Sequence, residues 1–192
     1  MVTKTTQAQD LKKKKKKWIS IMASPEFNNQ EIGETYVEET EQALGRVVEV
    51  NLTMLTRDPK KQNFNAYFQV KEIKNGQAFT ILTGYQLQVA QLKRITRKGK
   101  NKLDDSFIYK SKDGKTVTIK PIMITRTLTY KTSLQGLRKA SREFLTEYVK
   151  NKTGSQIMKE IMDGNLQRDI KNAVKKVSPI INCTIKTALI KD

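Results

Sequence analysis

Apolar and polar residues alternate over residues 45–55, GRVVEVNLTML, with Val48, Val50 and Leu52 interleaved by Glu49 and Asn51. A period of two puts the apolar side chains on one face of a strand. Further on, NFNAYFQVKEIK and QAFTILT flank Asn75-Gly76. That dipeptide favours a two-residue hairpin turn, because both of its positions need a positive φ. Pairing outward from the turn puts Ile73 opposite Ala78, Val70 opposite Ile81 and Phe68 opposite Thr83, with Phe64, Phe68, Val70, Phe79 and Ile81 on one face. A second hairpin is predicted where SFIYKSK and KTVTIKPIMIT flank Asp113-Gly114, setting Ile108 opposite Ile119 and Lys110 opposite Val117. Residues 17–23 read as a first strand. Residues 24–44 are acidic, carry the breakers Pro25 and Gly33, and read as a long irregular connection. Residues 86–98 read as a helix ended by Gly99.

The period then lengthens. Leu134, Leu137, Ser141, Phe144, Leu145, Tyr148 and Val149 mark one face of a helix of about four turns, with Ser133 as its cap. Residues 155–162 form a short helix stopped by Gly164. Leu166, Ile170, Ala173, Val174 and Val177 line a third helix that Pro179 terminates. The segment IINCTIKTALI closes the chain as a strand. Strands, then helices, then a returning strand predict an α+β fold: an antiparallel, β-barrel-like sheet with three C-terminal helices packed on it. Residues 1–16 lack periodicity and read as a flexible basic tail, leaving 17–192 as a single α+β RNA-binding domain.

Charge changes the picture most. Among 192 residues, 37 Lys and Arg face 19 Asp and Glu, a net charge of +18. Such an excess repels itself in a compact state unless a polyanion compensates it. No apolar run approaches the roughly 18 residues of a membrane span. The short apolar stretch after the lysines, Trp18 to Ala23, falls below the roughly 7–15 residues of a signal-peptide core. Both features, with a lone Cys183, point to an intracellular protein. Cys183 lies in the alternation Ile181, Cys183, Ile185 and reads as a small buried residue. The chain has no His and no phosphate-binding glycine loop. It therefore lacks the residues of a His-based triad or a usual zinc site, and no enzyme, cofactor or metal is expected. Asp104-Asp105 reads as a turn.

The cations fall into four groups. Lys12, Lys13, Lys14, Lys15, Lys16 and Lys17 abut Trp18. Lys93, Arg94, Arg97, Lys98, Lys100 and Lys102 crowd a helix end and the loop RKGKNK. Arg138, Lys139 and Arg142 lie on the long helix, with Arg138 and Arg142 one turn apart. Arg168, Lys171, Lys175 and Lys176 oppose the apolar stripe of the last helix and read as a solvated face. The first three groups and Arg126 are the candidate RNA contacts, with Trp18 either stacking on a base or opening the core. No helix-turn-helix, zinc-finger or basic-zipper pattern is present, and shape and backbone recognition of folded RNA fits best.

The entry segment LKKKKKKWISIMASPEFNNQEIGET carries a lysine run, a Trp, a Pro-x-Phe and Ile32-Gly-Glu-Thr35 in order. After it come Gly45-Arg46 with Glu49, the strand Ala78 to Gly84, Arg94-Ile-Thr-Arg97, Lys112-Asp113-Gly114, Ile124-Thr125, Leu137-Arg138-Lys139 and Pro179. This succession resembles the archaeal and eukaryotic family of small-subunit ribosomal proteins called "S-one-e" or "S-three-A-e". The resemblance implies a barrel-like domain with attached helices, bound to ribosomal RNA on the platform of the small subunit near the mRNA exit. It further implies a cytoplasmic, ribosomal location and a structural role in translation and subunit assembly. The partners implied are ribosomal RNA, neighbouring ribosomal proteins and mRNA at the exit, with no membrane and no small-molecule substrate. Ser178 stands where the family usually has an aromatic. Ending at Asp192, without the tail of eukaryotic members, points to an archaeal source. A free RNA chaperone or translation regulator is the alternative.

Overall fold

The computed structural model describes residues 15–191, so most of the basic tail 1–16, including Lys12, Lys13 and Lys14, lies outside the described residues. Nine strands run in chain order: β1 Lys17–Met22, β2 Glu31–Val37, β3 Val47–Asn51, β4 Phe64–Lys74, β5 Gln77–Leu87, β6 Lys102–Asp104, β7 Phe107–Lys110, β8 Thr116–Thr125 and β9 Ile180–Lys191. Two short helices, α1 Leu52–Thr56 and α2 Val89–Ile95, precede the C-terminal group α3 Lys131–Lys150, α4 Gly154–Asp163 and α5 Asn165–Val174. The class is α+β, and β9 returns into the sheet after the helices, as the pattern predicts.

All nine strands belong to one sheet, antiparallel except where β1 runs parallel to β5. One edge of β5 is occupied by β4 along its length. The other edge is shared: Gln77–Phe79 pair with β1, and Gly84–Gln86 pair with β9. Two cores result. Strands β1 to β5 enclose Ile19, Ile21, Val37, Ala43, Val70 and Ala78. No strand pairing joins β2 to β3. A 3-10 turn at Thr40–Ala43 puts buried Ala43 into that core, and Arg46 Nη1 donates to Thr35 Oγ1 across the gap at 2.6 Å. The larger core packs Phe68, Tyr85, Ile119, Met123, Ile185 and Ala188 of the sheet against Leu137, Leu145, Val149, Ile157, Ile161, Leu166 and Ile170 of the helices. No helix among the described residues is long and apolar enough to cross a membrane.

Both hairpins form, but their registers shift. In the first, Ile73 does face Ala78, whereas Val70 faces Thr80 and Phe68 faces Leu82. A bulge at Lys71 displaces the pairing by one residue and a second at Thr83 restores it, since Tyr67 faces Gly84. In the first half of β5 the buried positions are therefore Ala78 and Thr80, with Phe79 and Ile81 only half-buried, and burial resumes at Gly84, Tyr85 and Leu87. In the second hairpin Phe107, not Ile108, faces Ile119, and Lys110 faces Thr116. Its loop is three residues long, closed by Ser111 N–H to Lys115 O at 2.9 Å, with Gly114 left-handed at φ 76°. Asp113 is occupied elsewhere: its Oδ2 accepts from Gly154 N–H at the start of α4 at 3.2 Å. A one-residue slip exchanges the faces, which is why Phe107 is buried and Ile108 exposed.

Other expectations need correction. The connection 24–44 contains β2, paired antiparallel with β1 from Lys17–Val37 to Met22–Glu31. The helix expected over 86–98 is only Val89–Ile95, because β5 continues to Leu87 to pair with Phe64. Leu52 leaves the alternation of β3 to open α1, whose cap is Asn51 accepting from Thr53 N–H. Ser133 lies inside α3 rather than capping it, and the helix begins after Tyr130. Helix α4 opens with a capping box between Thr153 and Gln156, and α5 ends at Val174, before Pro179 is reached.

Gly84 sits where β5 passes from one core to the other. A Cβ there would lie 2.9 Å from Leu189 Cδ2 and 3.3 Å from Tyr67 Cβ. Gly84→Val is expected to lower stability by about 1–3 kcal/mol through overpacking, read as a lower urea midpoint. Cys183 is buried, and burial pushes its thiol up to about 12 despite nearby Lys171. Ellman's reagent at pH 8 should therefore leave the folded protein unmodified and titrate its single cysteine only in denaturant.

Candidate nucleic-acid interface

Strand register determines where the cations gather. Lys102 pairs with Ile124, and Thr125 with Ile180, so β6, β8 and β9 share one end of the sheet. At that end Thr125 N–H donates to Asn101 O at 3.1 Å, and Arg126 N–H donates to Pro179 O at 3.1 Å. The loop RKGKNK, the segment after β8 and the segment after α5 are thereby tied side by side. Continuing the β6–β8 register carries Lys100 toward Arg126. Residues 93–103, 126–142 and 175–191 contain no Asp or Glu. Lys93 and Arg94 in the last turn of α2, and Arg97, Lys98 and Arg126 beyond it, are all exposed. Gly99 is left-handed at φ 79°, which turns the loop sharply between Lys98 and Lys100. Lys175 and Lys176, expected as a solvated face, are exposed in the segment that leads to Pro179, so they join this end.

Not every cation is free. Lys102 Nζ lies 3.0 Å from Asp104 Oδ2, and Lys186 Nζ lies 3.6 Å from the same oxygen. Arg138 Nε lies 3.1 Å from Asp105 Oδ1. Asp104-Asp105, expected only as a turn, thus ties the β6–β7 corner to β9 through Asp104 and to α3 through Asp105. Burial pushes the Asp105 carboxyl up, Arg138 opposes this, and its Oδ2 is buried without a hydrogen-bond partner. Arg142, one turn on, lies 5.4 Å above the Phe107 ring. Lys139 is exposed on the same helix. This second group is held rigidly, with part of its charge already matched.

The third group sits elsewhere. Lys15, Lys16 and Lys17 are exposed, and Trp18 is 66% exposed. Trp18 therefore does not open the core. It pairs across strands with Tyr36 of β2, ring centroids 4.8 Å apart, and Lys16 Nζ lies 5.8 Å from the Tyr36 ring and 3.8 Å from Glu38 Oε1. Because β1 meets the first residues of β5 while α2 follows its last, the two groups lie at opposite ends of β5. A strand of that length spans up to about 33 Å at 3.3 Å per residue. The candidate residues therefore bracket the domain and do not form one patch.

Sequence reasoning passed over Tyr36, hidden in a segment read as irregular, although Thr35 and Val37 on either side carry its strand alternation. It also passed over Leu128 and Tyr130, exposed beside Arg126 and outside the apolar stripe of α3. In the recess of about 610 Å³ beside α4, Asp113 accepts from Gly154 N–H. Burial pushes the Glu26 carboxyl up there, with Ser155 and Lys159 opposing. Among the described residues no group of His, Cys, Asp or Glu could hold a metal ion.

Residues 4–192 match the Ribosomal S3Ae family. Curated relatives include "Small ribosomal subunit protein eS1" of Nanoarchaeum equitans, 29% identical over 86% of this chain and 84% of its own length. The protein of the same name from Methanocaldococcus jannaschii is 30% identical over 90% of this chain and 78% of its own. That of Natronomonas pharaonis is 27% identical over 88% and 82%.

In the Asp105–Arg138 pair the arginine is half exposed while the aspartate is largely buried, so screening at the arginine and the desolvation of the carboxylate keep the contribution small. Asp105→Ala is expected to cost about 1 kcal/mol in thermal unfolding at low salt, and less at 1 M salt.

Proposed function

Since the chain belongs to the Ribosomal S3Ae family, we propose that it is a structural constituent of the cytoplasmic small ribosomal subunit. It binds ribosomal RNA on the platform near the mRNA exit and contributes to subunit assembly. The observation that carries the RNA-binding part is that three carboxylate-free segments, 93–103, 126–142 and 175–191, meet at one end of the sheet through Asn101, Thr125, Arg126 and Pro179. Phosphates are the natural counterions for Arg97, Lys98, Lys100 and Arg126, which have no carboxylate beside them in these segments. Arg138, steered by Asp105, and Arg142, lying over Phe107, offer a rigid second contact along α3.

The opposite end supports a clamp. Lys15, Lys16 and Lys17 surround the exposed Trp18–Tyr36 pair, which presents aromatic surface to a base while the lysines take phosphates. Two cationic ends separated by the length of β5 bridge separate RNA elements, and neutralising them together favours the compact assembled particle. Neighbouring ribosomal proteins meet the free edges of β2 and β3, where Glu31, Glu34 and Glu49 repel RNA and favour basic partners. The mRNA leaving the subunit passes the same cationic surface.

Two measurements test this. On sucrose gradients the protein should stay with small subunits at moderate salt; departure there would favour a free RNA chaperone. Replacing Arg97, Lys98, Lys100 and Lys102 by Gln should weaken ribosomal RNA binding. It should also flatten the dependence of log K on log salt by about 2–3, since each free phosphate contact adds roughly 0.7–0.9 and Lys102 is already paired. An unchanged affinity and slope would remove the loop from the interface.

A further inference from the structure

Leu128 is 70% and Tyr130 85% exposed, and they lie two residues apart between Arg126 and Lys131. Large apolar side chains this exposed have no role in the core. They also stand beside exposed cations, between the loop RKGKNK and the start of α3.

The segment that carries them is firmly held. Thr125 Oγ1 accepts from Asn101 N–H at 3.0 Å and donates to Thr127 O at 2.7 Å. Thr129 N–H donates to Asn101 Oδ1 at 2.7 Å, and Thr129 Oγ1 donates to Thr127 O at 3.1 Å. Tyr130 itself opens α3, its carbonyl accepting from Leu134 N–H at 3.1 Å. The backbone on both sides of each apolar side chain is thus fixed before any partner arrives, so little ordering entropy remains to be lost on binding.

From this geometry we propose that Tyr130, backed by Leu128, is a stacking post for an unpaired RNA base. The inference rests on the RNA-binding reading above and names the kind of RNA that this end takes: a single strand, bulge or loop whose base is free to leave its stack. The surrounding charge favours RNA over a protein. A protein docking here would have to be acidic to match segments that hold cations and no carboxylate, and phosphates meet that requirement beside every base. An aromatic face accepts any base, while Arg126 and the neighbouring Lys100 hold an adjoining phosphate. Asn101 acts as a positioning residue, coupling the loop of phosphate contacts to the segment that carries the ring.

The test uses the full chain and two probes, a 12-nucleotide oligoadenylate and a 12-base-pair RNA duplex, with affinity read by fluorescence anisotropy. Tyr130→Ala should weaken single-strand binding about tenfold, as loss of one stacked base does. It should leave duplex affinity, the salt slope and the melting temperature unchanged. Tyr130→Phe should behave like the parent, because the ring and not the hydroxyl is needed. Equal effects of Tyr130→Ala on both probes, or none on either, would overturn the proposal, and so would normal RNA affinity combined with failure to join small subunits, which would assign the ring to a protein neighbour. A control variant with Lys98, Lys100 and Arg126 replaced by Gln separates the two readings. If it loses both probes while Tyr130→Ala loses neither, RNA binding stands and stacking falls. If it loses neither, the RNA reading itself fails.

Discussion

The divided edge of β5 is the constraint on which the rest of the molecule depends. Buried backbone N–H and C=O groups need partners, and one edge of this strand finds them in two different elements. Its first residues use β1 and its later ones β9. In between, where β1 ends, Thr80 Oγ1 donates to the last carbonyl of β1, Met22 O, at 2.8 Å, and on the other edge Thr83 Oγ1 at the bulge donates to Tyr67 O of β4 at 3.1 Å. Gly84 then allows β9 to approach without a side chain in the way. The bulge at Thr83 restores the register that the bulge at Lys71 displaced, so both cores can be served by one strand.

That division also separates the cations. The lysines around Trp18 are tied to the start of β5, and the loop RKGKNK is tied to the ends of β6, β8 and β9. The carboxylates are distributed to match. Asp104, Asp105 and Asp113 are spent on internal links to Lys102, Lys186, Arg138 and the α4 backbone. What remains at the end of the sheet is cation without counterion. In the role proposed above, RNA phosphates supply the counterions that this end of the sheet lacks.

The hairpins were legible because Asn75-Gly76 and Asp113-Gly114 carry local turn chemistry. Their registers were not. In the second hairpin Asp113 is recruited by the α4 N-terminus, which lengthens the loop by one residue and turns Ile108 outward. Strand β2 escaped notice for a related reason: its seven residues include three glutamates or glycines, and an edge strand needs only one apolar face. Trp18 could be read either as core or as surface from its neighbours alone. Its pairing with Tyr36, visible only once β2 is in place, decides for the surface.

By itself the sequence determined the α+β class, the late helices, the returning strand, the buried cysteine and the large cationic surplus. These follow from periodicity, turn residues and composition, which are local or additive properties. The tertiary structure alone decided which cations are free, which are neutralised by Asp104 and Asp105, and that the lysine run and the basic loop lie at opposite ends of β5. It also decided that Leu128 and Tyr130 stand exposed on a braced segment. Each of these depends on register between segments far apart in the chain, and register is set by the packing of both cores at once, which no local pattern encodes.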